Sequence, residues 1–275
     1  MTIIPTSNWL NDYLTMKNTS DRELIPRVHA ECLCGPLEAY FPDATLQDIH
    51  IHLVDHGLFW PHPTDDKQIE TFIARNYTSI VRKILEKLTQ HWDGPDVPVF
   101  IFPSNEKNRL LSEHFEGVSG VSHPGKLFFF LPNNVSLKKL HALVIHEYSH
   151  ICRLDKLGKK EEDLTLLDAI VLEGLAENAV RTLLGNEYVG SWAKHPSKQE
   201  VELFFRKWIK PCLDLKKTDP LHDQIMYGDG HFPKWLGYKV GYQLIASCLE
   251  HPELQLKQMH SLSSLQLLDY SMFAS

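Results

Sequence analysis

Apolar residues recur at helical spacing through the first third of the chain. After a first turn signal at Asn8, an amphipathic run covers residues 21–41 and a longer one residues 65–91. In the second run Ile69, Phe72, Ile73, Tyr77, Ile80, Val81, Ile84 and Leu88 fall three and four apart, which gathers them on one helix face. Two prolines and a glycine in residues 93–98 then exclude a helix. Val99-Phe100-Ile101-Phe102 follows as a strand of β-formers, and Leu127-Phe128-Phe129-Phe130-Leu131 as a second, with a glycine-rich turn between them. From Ser136, an N-cap, a helix apolar on most of its circumference runs until Gly158. A second apolar helix spans residues 163–184 and stops at Gly185-Asn186; further helices are expected over 199–213 and 236–249. The pattern predicts an α+β fold, mostly helical, with a small antiparallel sheet packed on the central helix. It reads as a helical N-terminal region, 1–92, followed by a second domain, 93–275.

Composition narrows the function classes. The 275 residues carry a formal net charge of −7, and no Lys/Arg block exceeds two residues, so nucleic acid is not an expected partner. The longest apolar run is five residues against the ~20 that cross a bilayer, and the start lacks the features of a secretion signal. No membrane is expected. Five cysteines, an odd and scattered set, fit reduced thiols and a cytoplasmic location. Histidine stands out at 16 residues, and histidine is the commonest metal ligand.

His146-Glu147-Tyr148-Ser149-His150 lies on the central helix. Four residues make just over one turn, so both imidazoles leave the same face and can hold one Zn²⁺, with Glu147 beside them to act on a bound water. From this composition about 0.06 such matches arise by chance, so context must strengthen the motif. The context is a nearly all-apolar helix, where imidazole and carboxylate are costly unless paired or coordinated. Catalytic zinc takes three protein ligands and keeps a fourth position for water. Glu173 and Glu177, one turn apart on the second apolar helix, supply the third ligand and an acceptor for the outer N–H of a zinc-bound imidazole, His146. Small Gly174 and Ala176 are expected to let this helix approach the first. The bland reading places both glutamates on a solvent face, paired with Lys or Arg.

These residues resemble a known family. His146-Glu147-x-x-His150 followed by Glu173-Gly174-Leu175-Ala176-Glu177 is similar to the gluzincins, zinc peptidases whose third ligand is a glutamate. The fuller wording resembles the YjaZ-like family of predicted zinc-dependent proteases. It includes Gly94-Pro95, Val97 to Pro103, Lys126-Leu127-Phe128-Phe129, the stretch from His146 to Arg153, Thr165-Leu166-Leu167-Asp168, Gly237-Tyr238 and Gly241-Tyr242. The likeness covers nearly the whole chain from Asp93 on, and more weakly before it. Ser149 departs from the pattern where another histidine is expected, but it is not a ligand position. The resemblance implies a zincin-like metallopeptidase domain with zinc between two helices.

Hydrolysis of a peptide or protein substrate by such a site needs a donor for the anion that develops on the carbonyl oxygen. Tyr238 is the favoured candidate, followed by His231 and Tyr227, although aromatics between glycines are commonly packing or turn residues. Residues 117–131 are read as able to form an edge strand to which an extended peptide could add. The runner-up function is a non-catalytic, metal-stabilised binding or regulatory protein; retention of Glu147 favours the enzyme, because a structural site needs ligands and no general base. His50, His52, His56 and His62 form a rival cluster without an acidic residue at the catalytic position, and are read as surface or capping histidines. Gly120 to Lys126 has phosphate-loop spacing but lacks the hydroxyl and the helix, and no nucleophile elbow is present.

Overall fold

The computed structural model describes residues 1–109, 111–112, 116–193 and 197–274. The fold is α+β and mostly helical, with one four-stranded sheet. The chain divides into two compact units, one of Met1–Glu86 with Asp96–Leu143, the other of Lys87–Pro95 with Val144–Ser275.

The first unit holds the sheet. Strands β1 (Thr2–Ile3), β2 (Pro98–Pro103), β3 (Ser119–His123) and β4 (Lys126–Leu131) lie in the order β1-β2-β4-β3. β3 and β4 form an antiparallel hairpin closed by Pro124-Gly125, the glycine at φ 75° supplying the left-handed turn residue. β2 pairs parallel with both β1 and β4, so the sheet is mixed rather than antiparallel. The reason lies in the crossing between β2 and the hairpin, which brings β4 back alongside β2 in the same direction. β4 is central, and its run from Leu127 to Leu131 is fully buried, so both faces are covered and the apolar run does not alternate.

Around the sheet in sequence stand α1 (Thr6–Thr19), α2 (Ile25–Cys34), α3 (Leu46–Asp55), α4 (Asp66–Ala74) and α5 (Tyr77–Trp92). The expected single helix over 65–91 is two. The chain turns at Asn76, whose φ of 50° suits an Asn far better than a branched residue, and α5 restarts on the same apolar spacing. The run over 21–41 is likewise shorter in α-helix than expected, because Gly35-Pro36 opens a 3₁₀ stretch at residues 35–40.

The second unit is helical. It contains most of α6 (Leu137–Leu157), then α7 (Leu166–Leu184), α8 (Lys198–Phe204), α9 (Pro220–Tyr227), α10 (Leu236–Cys248), α11 (Leu256–Met259) and α12 (Ser264–Tyr270). The helix expected over 199–213 changes at Phe205–Ile209 to a wider π turn and then to a 3₁₀ turn at Lys210–Cys212, where Pro211 lacks the N–H an α-helix would use. Thr165 caps α7 by a reciprocal pair of bonds with Asp168, and Gly185 at φ 111° ends it. Gly174 on α7 meets Gly241 on α10: a methyl on either glycine would run into the other helix's backbone. The small residue Gly174 therefore admits α10, not the helix of the His-Glu-x-x-His motif as the sequence had indicated. Asn178 binds the crossing, its amide donating to the carbonyls of Gly174 (2.8 Å) and Tyr242 (3.0 Å). Among the described residues no helix is long and apolar enough to cross a membrane.

Candidate metal centre

α6 presents His146 and His150 one turn apart, with their Nε2 atoms 3.0 Å from each other. α7 brings Glu173 to the same point, its carboxylate oxygens 3.4 Å from Nε2 of His146 and 3.7 Å from Nε2 of His150. These three residues are the His-His-Glu group among the described residues able to hold a metal ion, their ligand atoms all within 4.8 Å of one another. Glu177, a turn further along α7, places Oε1 2.9 Å from Nδ1 of His146 and accepts the Gly190 backbone N–H at 2.8 Å with Oε2. Glu177 is 4% exposed and the Glu173 side chain 17%, so neither stands on a solvent face. Glu147, beside His146, is buried as well.

The electrostatics follow from crowding these groups away from water. Burial pushes the His150 pKa down to about 4 and keeps that ring neutral. Burial also disfavours charge on His146, but Glu173 and Glu177 more than offset it and hold its pKa well above the ordinary value. Glu173 stays ionised: burial opposes its charge, and His150, His146 and Lys217 together outweigh that. A partly buried carboxylate facing two imidazole nitrogens, its Oε2 shielded from water and making no hydrogen bond, is a donor set that suits a divalent cation.

Behind the site, Arg153 on α6 is fully buried. It donates to the carbonyls of Met259, His260 and Leu262 and to Oγ of Ser264, which in turn donates to Asp168 Oδ1 at 2.6 Å. The helix carrying both histidines and the N-terminus of the helix carrying both glutamates are thus fastened through one serine. Ser149, within the motif, lies 3.0 Å from Nε2 of His260. Sequence reasoning passed over Arg153; its signal was a guanidinium on an apolar helix, where charge is costly unless several acceptors meet it.

Tyr238 stands in the first turn of α10. Its ring lies 5.8 Å from that of Tyr227 and 5.2 Å from that of Trp235, whose backbone at φ 60° is left-handed and strained for so bulky a residue. Burial, then the charges of Glu173 and Glu147 among others, hold the Tyr238 phenol well above its ordinary pKa, so it remains a donor. Tyr227, nearly half exposed, is also raised, by burial and Glu173. His231 is exposed, its ring tilted by 35° against that of Phe232 with centroids 4.1 Å apart. Of the rival histidines, His50 is buried against His29 rather than at the surface, and Nδ1 of His62 lies 2.9 Å from the Thr64 hydroxyl.

Fold and site together define an α+β, mainly helical protein with a His-His-Glu set fit for a metal ion. The chain belongs to the family described as predicted Zn-dependent protease (DUF2268), whose model matches residues 77–269. It is 34% identical over 198 residues to the "Uncharacterized protein YjaZ" of Bacillus subtilis (strain 168), covering 72% of this chain and 76% of that one. It is 25% identical over 203 residues to the "Uncharacterized protein YjfC" of the same organism, covering 69% and 67%. No solved structure matches it.

Proposed function

We propose that this chain is a zinc-dependent metallopeptidase in which His146, His150 and Glu173 would hold Zn²⁺ and Glu147 is the general base. The observation that carries the reading is the convergence of three ligand atoms within 4.8 Å while the neighbouring carboxylate, Glu147, stays outside that set. A bound Zn²⁺ would supply a Lewis acid that activates water and polarises the scissile carbonyl. Glu147 takes a proton from the attacking water and passes it to the leaving amine as the C–N bond breaks, so one water is consumed per peptide bond. Glu177 accepts the Nδ1–H of His146, which fixes the tautomer and aims the Nε2 lone pair at the ligand site. Tyr238 donates its phenolic hydrogen to the carbonyl oxygen as charge develops there, and its raised pKa keeps that hydrogen in place. His231 and Tyr227 are the second and third candidates for that donor.

Glu173→Ala removes the only carboxylate of the set. The chain should lose most of its zinc and some thermal stability, because metal binding is coupled to the folded state. Elemental analysis of freshly purified protein reads this directly; full zinc occupancy in Glu173→Ala would shift the third ligand to another residue, Glu177 first.

A further inference from the structure

His150 stands between two anchors, and both end on the same short stretch of chain. Just before it, the Ser149 hydroxyl lies 3.0 Å from Nε2 of His260. One turn after it, Arg153 donates through Nη1 to the carbonyls of Met259 (3.3 Å), His260 (3.1 Å) and Leu262, and through Nη2 to Oγ of Ser264 (3.0 Å). These partners lead from the end of α11 into the first turn of α12. The stretch also reaches α7, because Ser264 Oγ donates to Oδ1 of Asp168 at 2.6 Å. Oδ2 of that carboxylate accepts from the Thr165 N–H (3.1 Å) and hydroxyl (3.0 Å) and from Nζ of Lys159 (2.7 Å). Asp168 lies in the first turn of the helix that carries Glu173. Ser149, Arg153, Asp168, His260 and Ser264 are all buried, and all belong to the second unit.

We propose that residues 259–264 are a brace that sets His150 against Glu173, with Arg153 and Ser264 as positioning residues for the metal ligands. The inference rests on the ligand set proposed above and not on peptidase activity. Stability alone does not call for a guanidinium at this point. Arg153 meets three carbonyls and a hydroxyl, and its countercharge, Asp168, is reached only through Ser264. Burial draws its pKa down to about 10, so the group stays charged. An apolar side chain of similar volume commonly leaves a protein as stable as a buried ion does. What it lacks is direction: acceptors disposed around a planar fork allow α6 one position along and about its axis. The Ser264 hydroxyl passes that position on to α7, accepting from Arg153 and donating to Asp168. The imidazoles and the carboxylate are then in place before a cation arrives, and ligands held in place bind it more tightly.

The test uses the full chain, stripped of metal and then titrated with Zn²⁺ against a competing chelator, and separately with Co²⁺, whose visible bands report ligand geometry. Ser264→Ala cuts the link between Arg153 and Asp168 but leaves the three carbonyls and the Thr165 cap, so the fold should persist by circular dichroism. It should bind Zn²⁺ about 10-fold more weakly or worse, with altered Co²⁺ bands. Arg153→Lys keeps the charge and loses the fork, and should shift both readouts in the same sense. Tyr13→Phe is the control for lost stability alone: it removes a buried hydrogen bond to Asp65 in the first unit and should leave Zn²⁺ affinity and the Co²⁺ bands unchanged. Wild-type Zn²⁺ affinity and Co²⁺ bands in Ser264→Ala, even with a lower melting temperature, would overturn the inference and leave the metal centre standing. Equal weakening in Tyr13→Phe would overturn it too. A wild type that binds neither metal would overturn both the brace and the metal centre.

Discussion

At His146 a carboxylate meets each ring nitrogen: Glu177 at Nδ1, 2.9 Å away, and Glu173 at Nε2, 3.4 Å away. The inner contact is the one a cation would replace, while the outer one survives and sets the ring's orientation. Glu177→Gln keeps the size but removes the charge that makes His146 a stronger base. Zinc affinity, measured by chelator competition, should fall about 10- to 100-fold with the fold intact; unchanged affinity would show that Glu177 does no more than hold the Gly190 backbone. Much of this was legible in the sequence, because the 3.6-residue period alone puts residues 146 and 150 on one face and residues 173 and 177 on another. Arg153 and Gly190 were not, since the first of the carbonyls that satisfy the one lies 106 residues away and the carboxylate met by the other is reached only once the chain beyond α7 turns back.

Among the helices, the crossing of α7 and α10 sets where Glu173 can stand, since Gly174 is its immediate neighbour and touches Gly241. Gly241→Ala drives a methyl into the Ile170 carbonyl, backbone that cannot swing aside. We expect a loss of about 1–3 kcal/mol in urea unfolding and a weaker hold on zinc, as α7 is pushed away. Element positions were legible wherever the signal was local. The cap at Ser136, whose hydroxyl accepts the Lys139 N–H, the helix ends at Gly158 and Gly185 and the glycine-rich turn before β4 are short-range chemistry. The parallel pairing of β2 with β4 and the encounter of Gly174 with Gly241 are not, because each joins segments through contacts that no neighbouring residue encodes. β1, two residues long, is too short to carry any pattern.

At the scale of the whole molecule, every residue of the proposed catalytic machinery belongs to the second unit, and the sheet and the rival histidines His50, His52, His56 and His62 belong to the first. Family membership makes the chain one of the predicted zinc-dependent proteases. The peptidase reading adds a specific division of labour, in which ligands hold the metal and Glu147 moves the proton. The most direct measurement is hydrolysis of a broad peptide library by zinc-loaded wild type and Glu147→Gln, with metal content determined on the same samples. The account predicts that the wild type cleaves and that Glu147→Gln, with zinc and fold retained, is slower by at least about 10²- to 10⁴-fold. Equal rates with metal intact would contradict it, and a wild type that cleaves nothing in the library would favour a metal-stabilised binding protein instead.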